Sequence, residues 1–195
     1  MKLYDYLYAR NIKKYLLLNK KDFAIFGHLH KNRVEKSFAI IDTFHHNYFY
    51  EDTKVIVISD VHLGMYSYSD DELKKLKLLL SRQDKQIIIL GDFFDLFYTR
   101  PTDIFLKYAD LISIIKKQQA QSNLIYIFGN HDWNVSSLLG IPAVPNYNLA
   151  NKIFFHGHIC DPYHTFFPFN IFQKLRRLIG YRLHWFRPFY LKFNS

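Results

Sequence analysis

Short apolar runs that stop at a polar cluster recur along the chain. In the clearest case, the β-branched residues 55–58 come directly before Ser59-Asp60-Val61-His62, which predicts a buried strand followed by a loop. Asp60 and His62 are two residues apart, so their side chains point the same way from an extended segment. Three later runs have the same form: 86–90 before Gly91-Asp92-Phe93-Phe94-Asp95, 124–128 before Gly129-Asn130-His131-Asp132, and 153–155 before His156-Gly157-His158. Because helical connections bring the carboxyl ends of parallel strands to one edge of a sheet, the four clusters predict a shared ligand site.

Helical patterns lie between these runs. Ser69, with Glu72 three residues later, predicts a capping box at the start of the first helix. The predicted segments are a helix from this cap to about residue 82, a helix from Thr102 or Asp103 to about residue 119, and a short helix with a loop within 134–150. The alternation of strands and helices predicts an α/β fold with a covered sheet.

The N-terminal part of the chain contains a further run of this kind. Residues 1–20 have the apolar spacing of a helix, and residues 23–26 form a short apolar run before Gly27-His28-Leu29-His30. Another apolar run follows at 38–41. These patterns predict a helix and two strands, joined to the strand at 55–58 by a linker that contains His45 and His46.

Composition adds constraints on the partner and the compartment. The chain has 195 residues with 49% hydrophobic content, enough for one domain with a core. Its formal net charge of +9 predicts an anionic partner, either nucleic acid or a lipid surface. Cys160 is the one cysteine, which excludes an internal disulfide and fits a reducing compartment; it is either a small buried residue or a soft metal ligand. We find neither a signal peptide nor a run long enough to span a bilayer.

The motifs D-x-H, GD-x-x-D, GNHD and His-Gly, in that order, resemble those of the calcineurin-like metallophosphoesterases. This family consists of two-metal phosphate-ester hydrolases, and the resemblance covers residues 54–161. It implies an α/β fold of the four-layer α-β-β-α sandwich type in a single domain over 1–195. The family's last motif, G-H-x-H, normally follows the His-Gly motif, whereas here it stands at His28 and His30.

We therefore predict that the chain is circularly permuted relative to the family, with residues 1–50 carrying the displaced motif. Permutation is tolerated where domain termini lie near each other. The alternative is that the match of GHLH is a coincidence and that the true last motif lies beyond Ser195. In that case two metal ligands would be missing from the chain.

By this resemblance, two divalent metal ions share the carboxylate of Asp92. The remaining ligands are Asp60, His62 and His30 for the first ion, and Asn130, His156 and His28 for the second. Such a mixture of carboxylate, amide and imidazole ligands favours Mn²⁺, Fe or Zn²⁺ over Ca²⁺, and we expect Mn²⁺. The resemblance assigns catalysis to His131, oriented by Asp132, while Asp95 either supports the site or caps its loop. His158 and Asp161 match no ligand position.

Two stretches of the sequence indicate a class of substrate but do not identify the substrate. GDFFDLF and HGHICDP are similar to the bacterial branch that contains UDP-2,3-diacylglucosamine pyrophosphatase, although that branch carries arginine at the position of His131. Residues 162–195 are basic and aromatic without an acidic residue. Such a stretch suits a membrane interface, an apolar side that packs on the domain with its basic side solvated, or a surface for single-stranded nucleic acid. We therefore expect a general phosphoesterase that acts on a phosphodiester, phosphomonoester or pyrophosphate, with a lipid-linked nucleotide as the lead for its substrate. We also expect a cytoplasmic protein, with a peripheral position on the membrane as an option. Two alternatives stay open: a nuclease or nucleotide phosphodiesterase of the same fold, and an inactive interaction scaffold.

Overall fold

The computed structural model of the chain describes residues 3–20, 23–26, 33–34, 38–40, 50–51 and 55–161. In these ranges the strands form two sheets. The strands are β1 (Phe23–Phe26), β2 (Arg33–Val34), β3 (Phe38–Ile40), β4 (Tyr50–Glu51), β5 (Val55–Ile58), β6 (Gln86–Leu90), β7 (Leu124–Ile127), β8 (Asn146–Leu149) and β9 (Lys152–Phe155). The helices are α1 (Leu3–Asn19), α2 (Asp70–Leu80), α3 (Pro101–Lys107), α4 (Ala109–Ala120) and α5 (Val135–Leu139), and a 3₁₀ turn covers Gly157–Cys160.

The first sheet has the order β4-β5-β6-β7. Its central strands are parallel, with Ile58 beside Ile89 and Leu90 beside Ile127. Alternate residues are buried on opposite faces, as expected for strands of a sheet covered on both sides. Ile56 belongs to the core under the helices, whereas Val57 belongs to the core between the two sheets. The continuous β-branched run that predicted a buried strand therefore follows from burial on both faces.

The second sheet has the order β2-β3-β1-β9-β8. Strand β1 lies parallel to both of its neighbours, β3 and β9. It pairs Phe23 with Lys152 at one end and Phe26 with Phe155 at the other. The three strands from the N-terminal part of the chain thus lie together, next to the hairpin of β8 and β9. The two groups meet where β1 pairs with β9, and these two strands end at the same edge.

Helices cover the outer face of each sheet, so the architecture is the four-layer α-β-β-α sandwich predicted from the sequence. Buried residues of α2, α3 and α4, such as Leu80, Ile104 and Ile115, pack on the first sheet. On the other side, Ile12 and Leu16 of α1 pack on Phe155 of β9. The site-bearing strand ends are thereby held between two packed layers.

Two predicted elements differ from the structure. The single helix expected up to about residue 119 is divided into α3 and α4, because Tyr108 leaves the helical conformation (φ −122°, ψ 26°) and is buried. Pro101 at the first position of α3, rather than a Thr102 or Asp103 side-chain cap, marks its start. Within 134–150 the short helix is confirmed, but the loop contains β8, which pairs with β9 as a hairpin.

The capping box at Ser69 is confirmed. The Glu72 amide donates to the Ser69 hydroxyl, and the Glu72 carboxylate accepts a 2.8 Å hydrogen bond from the Ser69 amide. Across the described ranges, every helix is too short or too polar to be a candidate for crossing a bilayer. Residues 162–195 and the linker with His45 and His46 lie outside the described residues.

Candidate metal centre

The polar clusters that follow β5, β6, β7 and β9 converge at one edge of the sandwich. The loops after β5 and β6 run side by side beyond the strands: the Asp60 amide donates to the Gly91 carbonyl at 3.1 Å, and the His62 amide donates to the Asp92 carbonyl at 2.8 Å. These hydrogen bonds extend the pairing of the two strands into the site. They bring Asp60, His62 and Asp92 together before any side chain contact is considered.

The carboxylate of Asp92 is the centre of the cluster. Its Oδ2 atom lies 3.3 Å from Nε2 of His156 and 3.7 Å from Nε2 of His62. Its Oδ1 atom accepts a 2.7 Å hydrogen bond from the backbone amide of His131. Both carboxylate oxygens therefore face other site residues, and the side chain is almost completely buried.

One group of donors, which we call the His156 side, consists of Asp60, Asn130 and His156. The His156 ring is fully buried, with Nδ1 2.9 Å from the Leu90 carbonyl and Nε2 3.1 Å from Oδ1 of Asn130. The carbonyl contact requires the proton on Nδ1, which fixes the ring orientation and directs Nε2 at Asp92. The His156 side is thus held by backbone as well as by side chains.

The other group, which we call the His131 side, consists of His62, His131 and Asp95. The His62 and His131 rings meet edge to face with centroids 4.7 Å apart. Nδ1 of His131 lies 3.3 Å from Oδ1 of Asp95, and 17% of the His131 side chain is exposed. His131 is therefore slightly more accessible to solvent than His62, whose side chain is 12% exposed, and it has a carboxylate behind it.

We predicted that Asp132 orients His131, but the described hydrogen bonds of the Asp132 carboxylate are to other groups. Its Oδ2 accepts from the Phe93 amide at 2.9 Å and from the Tyr126 hydroxyl at 2.6 Å. Its Oδ1 accepts from the Gly129 amide at 2.6 Å. Asp132 ties the loop after β7 to the loop after β6, and the carboxylate against the His131 ring is that of Asp95.

Asp95 also organises its own loop. The same Oδ1 atom accepts from the amides of Phe97 and Tyr98 at 3.0 and 2.9 Å. The two alternatives that the sequence left open for Asp95, support of the site and capping of the loop, are therefore both present. The rest of its environment is protein interior, since Asp95 is fully buried.

Two glycines allow the loops to approach each other. Gly91 has φ +85°, and a Cβ at this residue would lie 2.5 Å from the His156 ring. A Cβ at Gly129 would overlap the carboxylate of Asp92. Glycine before Asp92 and before Asn130 is thus a requirement of close packing at the site.

Three of the proposed ligands have left-handed backbone conformations. The φ angles of Asp60, His62 and Asp92 are 55°, 52° and 53°. This region is uncommon for residues other than glycine and costs on the order of 1–3 kcal/mol at each position. The surrounding hydrogen bonds hold these conformations, which we did not predict from the residue types.

Electrostatics couple Asp92 to its histidine neighbours. Burial opposes ionisation of both members of the Asp92–His156 pair. The charge of Asp92 nevertheless raises the pKa of His156 to about 10, and the charges of His156 and His131 hold the pKa of Asp92 well below its usual range. The site therefore stabilises a negative Asp92 by positive charge beside it. A cation bound at Asp92 would take the place of the His156 proton.

The other two titrating groups differ from this pair. Burial, together with the nearby His131, lowers the pKa of His62 to about 4, so His62 is a neutral imidazole at neutral pH, the form that binds metals. Burial and then the charge of Asp92 raise the pKa of Asp132 to about 6. Asp92 thus carries the negative charge at the centre of the site, and Asp132 lies at the edge of the site.

The donor set fits divalent metal ions. Ligand atoms of His62, Asp92 and His131 all lie within 4.8 Å of one another, and so do those of Asp60, Asp92 and His156. The two groups share Asp92, and they combine carboxylate and imidazole donors as transition-metal sites do. His131 stands in the first group where the sequence predicted only a catalytic role. His28 and His30 lie outside the described residues.

Three polar residues beside the site, Cys160, His158 and Asn11, contact other protein groups. Cys160 is buried against α1, and burial raises the pKa of its thiol to about 12, which disfavours the thiolate that a metal requires. His158 stacks near His156 with ring centroids 5.3 Å apart. Asn11 of α1 donates to the Cys160 carbonyl at 3.0 Å. The turn after His156 is therefore fastened to the helix beneath it.

Comparison with known proteins agrees with this geometry. A family model described as calcineurin-like phosphoesterase matches residues 53–193. Neither the curated proteins nor the solved structures gave a significant match. The family match includes every described strand-end cluster of the site, and it covers well over half of the chain. The chain belongs to the calcineurin-like phosphoesterase family.

Proposed function

We propose that the chain hydrolyses phosphate esters or anhydrides at a dinuclear metal centre whose shared ligand is Asp92. The observation that carries the proposal is that both potential metal-binding groups contain Asp92. A carboxylate suits a shared position because it has two oxygens. Bound divalent ions, which we propose to be Mn²⁺ with Fe or Zn²⁺ as alternatives, would supply water activation and charge neutralisation at the phosphoryl group.

The protein residues then divide the remaining work. Asp60, His62, Asn130 and His156 hold the centre. His131 is the most accessible of the described site histidines, and its role is to protonate the leaving oxygen, a task suited to imidazole. Asp95 positions its ring through the 3.3 Å contact at Nδ1.

The ligand set is completed, in this proposal, by His28 and His30 of a circularly permuted G-H-x-H motif. Two observations support the permutation. Strand β1 ends beside β9, with Phe26 paired to Phe155, so the chain leaves β1 at the edge where His156 follows β9. Strand β3 also continues the sheet on the far side of β1, as a strand after the motif would do. Adjacent strands are separated by about 4.8 Å, within the reach of a histidine side chain.

For the substrate we propose a lipid-linked nucleotide or a related phosphodiester or pyrophosphate. The support is in the sequence: the GDFFDLF and HGHICDP stretches and the basic, aromatic residues 162–195, which would face an anionic membrane. The presence of histidine at position 131, rather than the arginine of the lipid-nucleotide branch, keeps the wider class of phosphodiesters in the proposal.

The experiment is Mn²⁺-dependent hydrolysis of bis(p-nitrophenyl) phosphate by four proteins: the wild type, Asp92→Ala, His28→Ala and the matched histidine control His45→Ala. We expect turnover by the wild type and by His45→Ala, and loss of most activity in the other two. Activity retained by His28→Ala but lost by Asp92→Ala would refute the permuted ligand set and keep the chemistry. A wild type that is inert with Mn²⁺, Fe²⁺ and Zn²⁺ would refute the proposal that the chain is a metal-dependent phosphoesterase.

A further inference from the structure

Helix α1 has a solvent face of unusual composition. From residue 10 to residue 20 the exposed side chains are Arg10, Lys13, Lys14, Leu17, Leu18 and Lys20. Leu17 and Leu18 are 79% and 72% exposed. At 100° per residue the five positions within α1 fall within an arc of about 140° and extend over about 12 Å of helix, and Lys20 follows the last helical residue. The exposed face of α1 is therefore a basic surface with two leucines at its C-terminal end.

The opposite face of α1 is packed against the protein core. Tyr8, Ile12 and Leu16 are buried in the core formed with β9. The Tyr8 hydroxyl donates to the Gly157 carbonyl at 3.0 Å, directly after His156. The orientation of the helix is thus fixed by packing, and the basic face with Leu17 and Leu18 is directed away from the domain.

Within the described part of the chain, the charge on this face has no ion-pair partner. The sequence has no acidic residue from position 6 to position 21. Among the residues that the structure describes, the Lys and Arg ion pairs, such as Lys77 with Asp110, lie on other elements. The exposed side of α2 is a contrast: it has Lys74, Lys75 and a 64% exposed Leu78, but it begins with three acidic residues. A net positive, partly apolar face is therefore a property of α1 rather than of the helices in general.

We propose that the exposed face of α1 docks on an anionic lipid surface, with the lysines and Arg10 at the headgroups and the side chains of Leu17 and Leu18 inserted among the lipids. Interfacial helices combine a basic face with apolar side chains in this way, and each basic residue near an anionic bilayer adds to binding. Nucleic acid fits less well, because leucine offers neither the stacking surface nor the hydrogen bonds that bases use. Since α1 contacts the turn after His156, docking would hold the metal centre close to the lipid.

The test is co-sedimentation of the full chain with vesicles of phosphatidylcholine and phosphatidylglycerol, and with vesicles of phosphatidylcholine alone. The variants are Lys13→Glu with Lys14→Glu, and Leu17→Ser with Leu18→Ser. The matched controls on α2 are Lys74→Glu with Lys75→Glu, and Leu78→Ser, which make the same chemical changes on an exposed helix. Far-UV circular dichroism checks that each variant is folded.

We expect the wild type and both α2 controls to sediment with the anionic vesicles and not with the neutral ones. Each α1 variant should lose binding by about tenfold or more. Residues 162–195 are present in every protein, so binding by the α1 charge variant equal to that of the wild type would overturn the proposal. It would also be overturned by a wild type that ignores anionic vesicles, or by one that binds a single-stranded oligonucleotide instead. None of these readouts depends on hydrolysis, so the result is independent of the proposed activity.

Discussion

The His156 side and the His131 side of Asp92 contain similar residues in different environments. On the His156 side, the imidazole is fully buried and is held by the Leu90 carbonyl and by Asn130. On the His131 side, the imidazole is part-exposed and contacts the carboxylate of Asp95. A fixed side is suited to holding a cation, whereas a side with solvent access is suited to proton transfer. The difference teaches that two histidines of neighbouring motifs have different environments, which is the basis on which we propose different roles for them.

The largest effect is expected from Asp92→Asn, which removes the charge that the two sides share. Hydrolysis should fall to the uncatalysed background, and the metal content after dialysis should fall with it, because a neutral amide cannot bridge two cations. Activity assay and elemental analysis of the same sample measure both. The control is Asp110→Asn on the exposed surface of α4, which should change neither. A variant that keeps its metal and its turnover would show that the two sides do not meet at Asp92.

The next effect separates the sides. His131→Gln should lower kcat by about 10²–10⁴-fold, the usual contribution of a general acid, and should retain metal. His156→Gln should lose metal as well as activity. Elemental analysis of both variants, alongside kcat, checks the contrast. Loss of metal from His131→Gln equal to that from His156→Gln would make His131 a ligand, as its proximity to His62 and Asp92 permits.

A smaller effect is expected from the carboxylates behind the site. Asp95→Asn should lower kcat by about 10–100-fold with little change in metal content, since it disturbs the orientation of His131. Asp132→Asn should instead lower the free energy of unfolding by about 1.5–3 kcal/mol. Three groups donate hydrogen bonds to the Asp132 carboxylate, and in the variant one of them would face the NH₂ group of asparagine, which cannot accept. Denaturant unfolding and steady-state kinetics on both variants distinguish them. The reverse outcome would restore Asp132 as the residue that orients His131.

The smallest effect is expected from Tyr126→Phe. This change removes the 2.6 Å hydrogen bond to Asp132 and should cost about 1 kcal/mol of stability while kcat stays within the range of the control. The control is Tyr147→Phe, whose hydroxyl lies 3.3 Å from the neutral amide oxygen of Gln86. A large fall in kcat for Tyr126→Phe alone would extend the catalytic machinery to the loop behind Asp132.

Most of the architecture could be predicted because the decisive signals are local. The runs at β5 and β6 are apolar on both faces, and the structure buries both faces. The convergence of Asp60, Asp92 and His156 follows once parallel strands are assumed, since their carboxyl ends share an edge. These residues needed only a correct strand assignment to be brought together.

What the sequence did not reveal depends on the shape of the loops. The contact between Asp95 and His131 requires the turn in which Asp95 also binds the amides of Phe97 and Tyr98. Adjacency in the sequence suggested Asp132 instead, but that side chain is directed to Tyr126. The left-handed conformation of Asp92 and the break at Tyr108 are likewise set by tertiary packing rather than by residue type.

The position of β1 between β3 and β9 has a consequence for synthesis. The strand is made early, yet one of its edges pairs with residues 152–155. A growing chain must therefore present an unsatisfied apolar strand edge until almost all of the sandwich has emerged from the ribosome. Exposed edges of this kind recruit other strands, and contacts distant in sequence form slowly. We accordingly expect nascent chains that end before β9 to aggregate or to require a chaperone, whereas chains that include β9 can close the sheet on themselves.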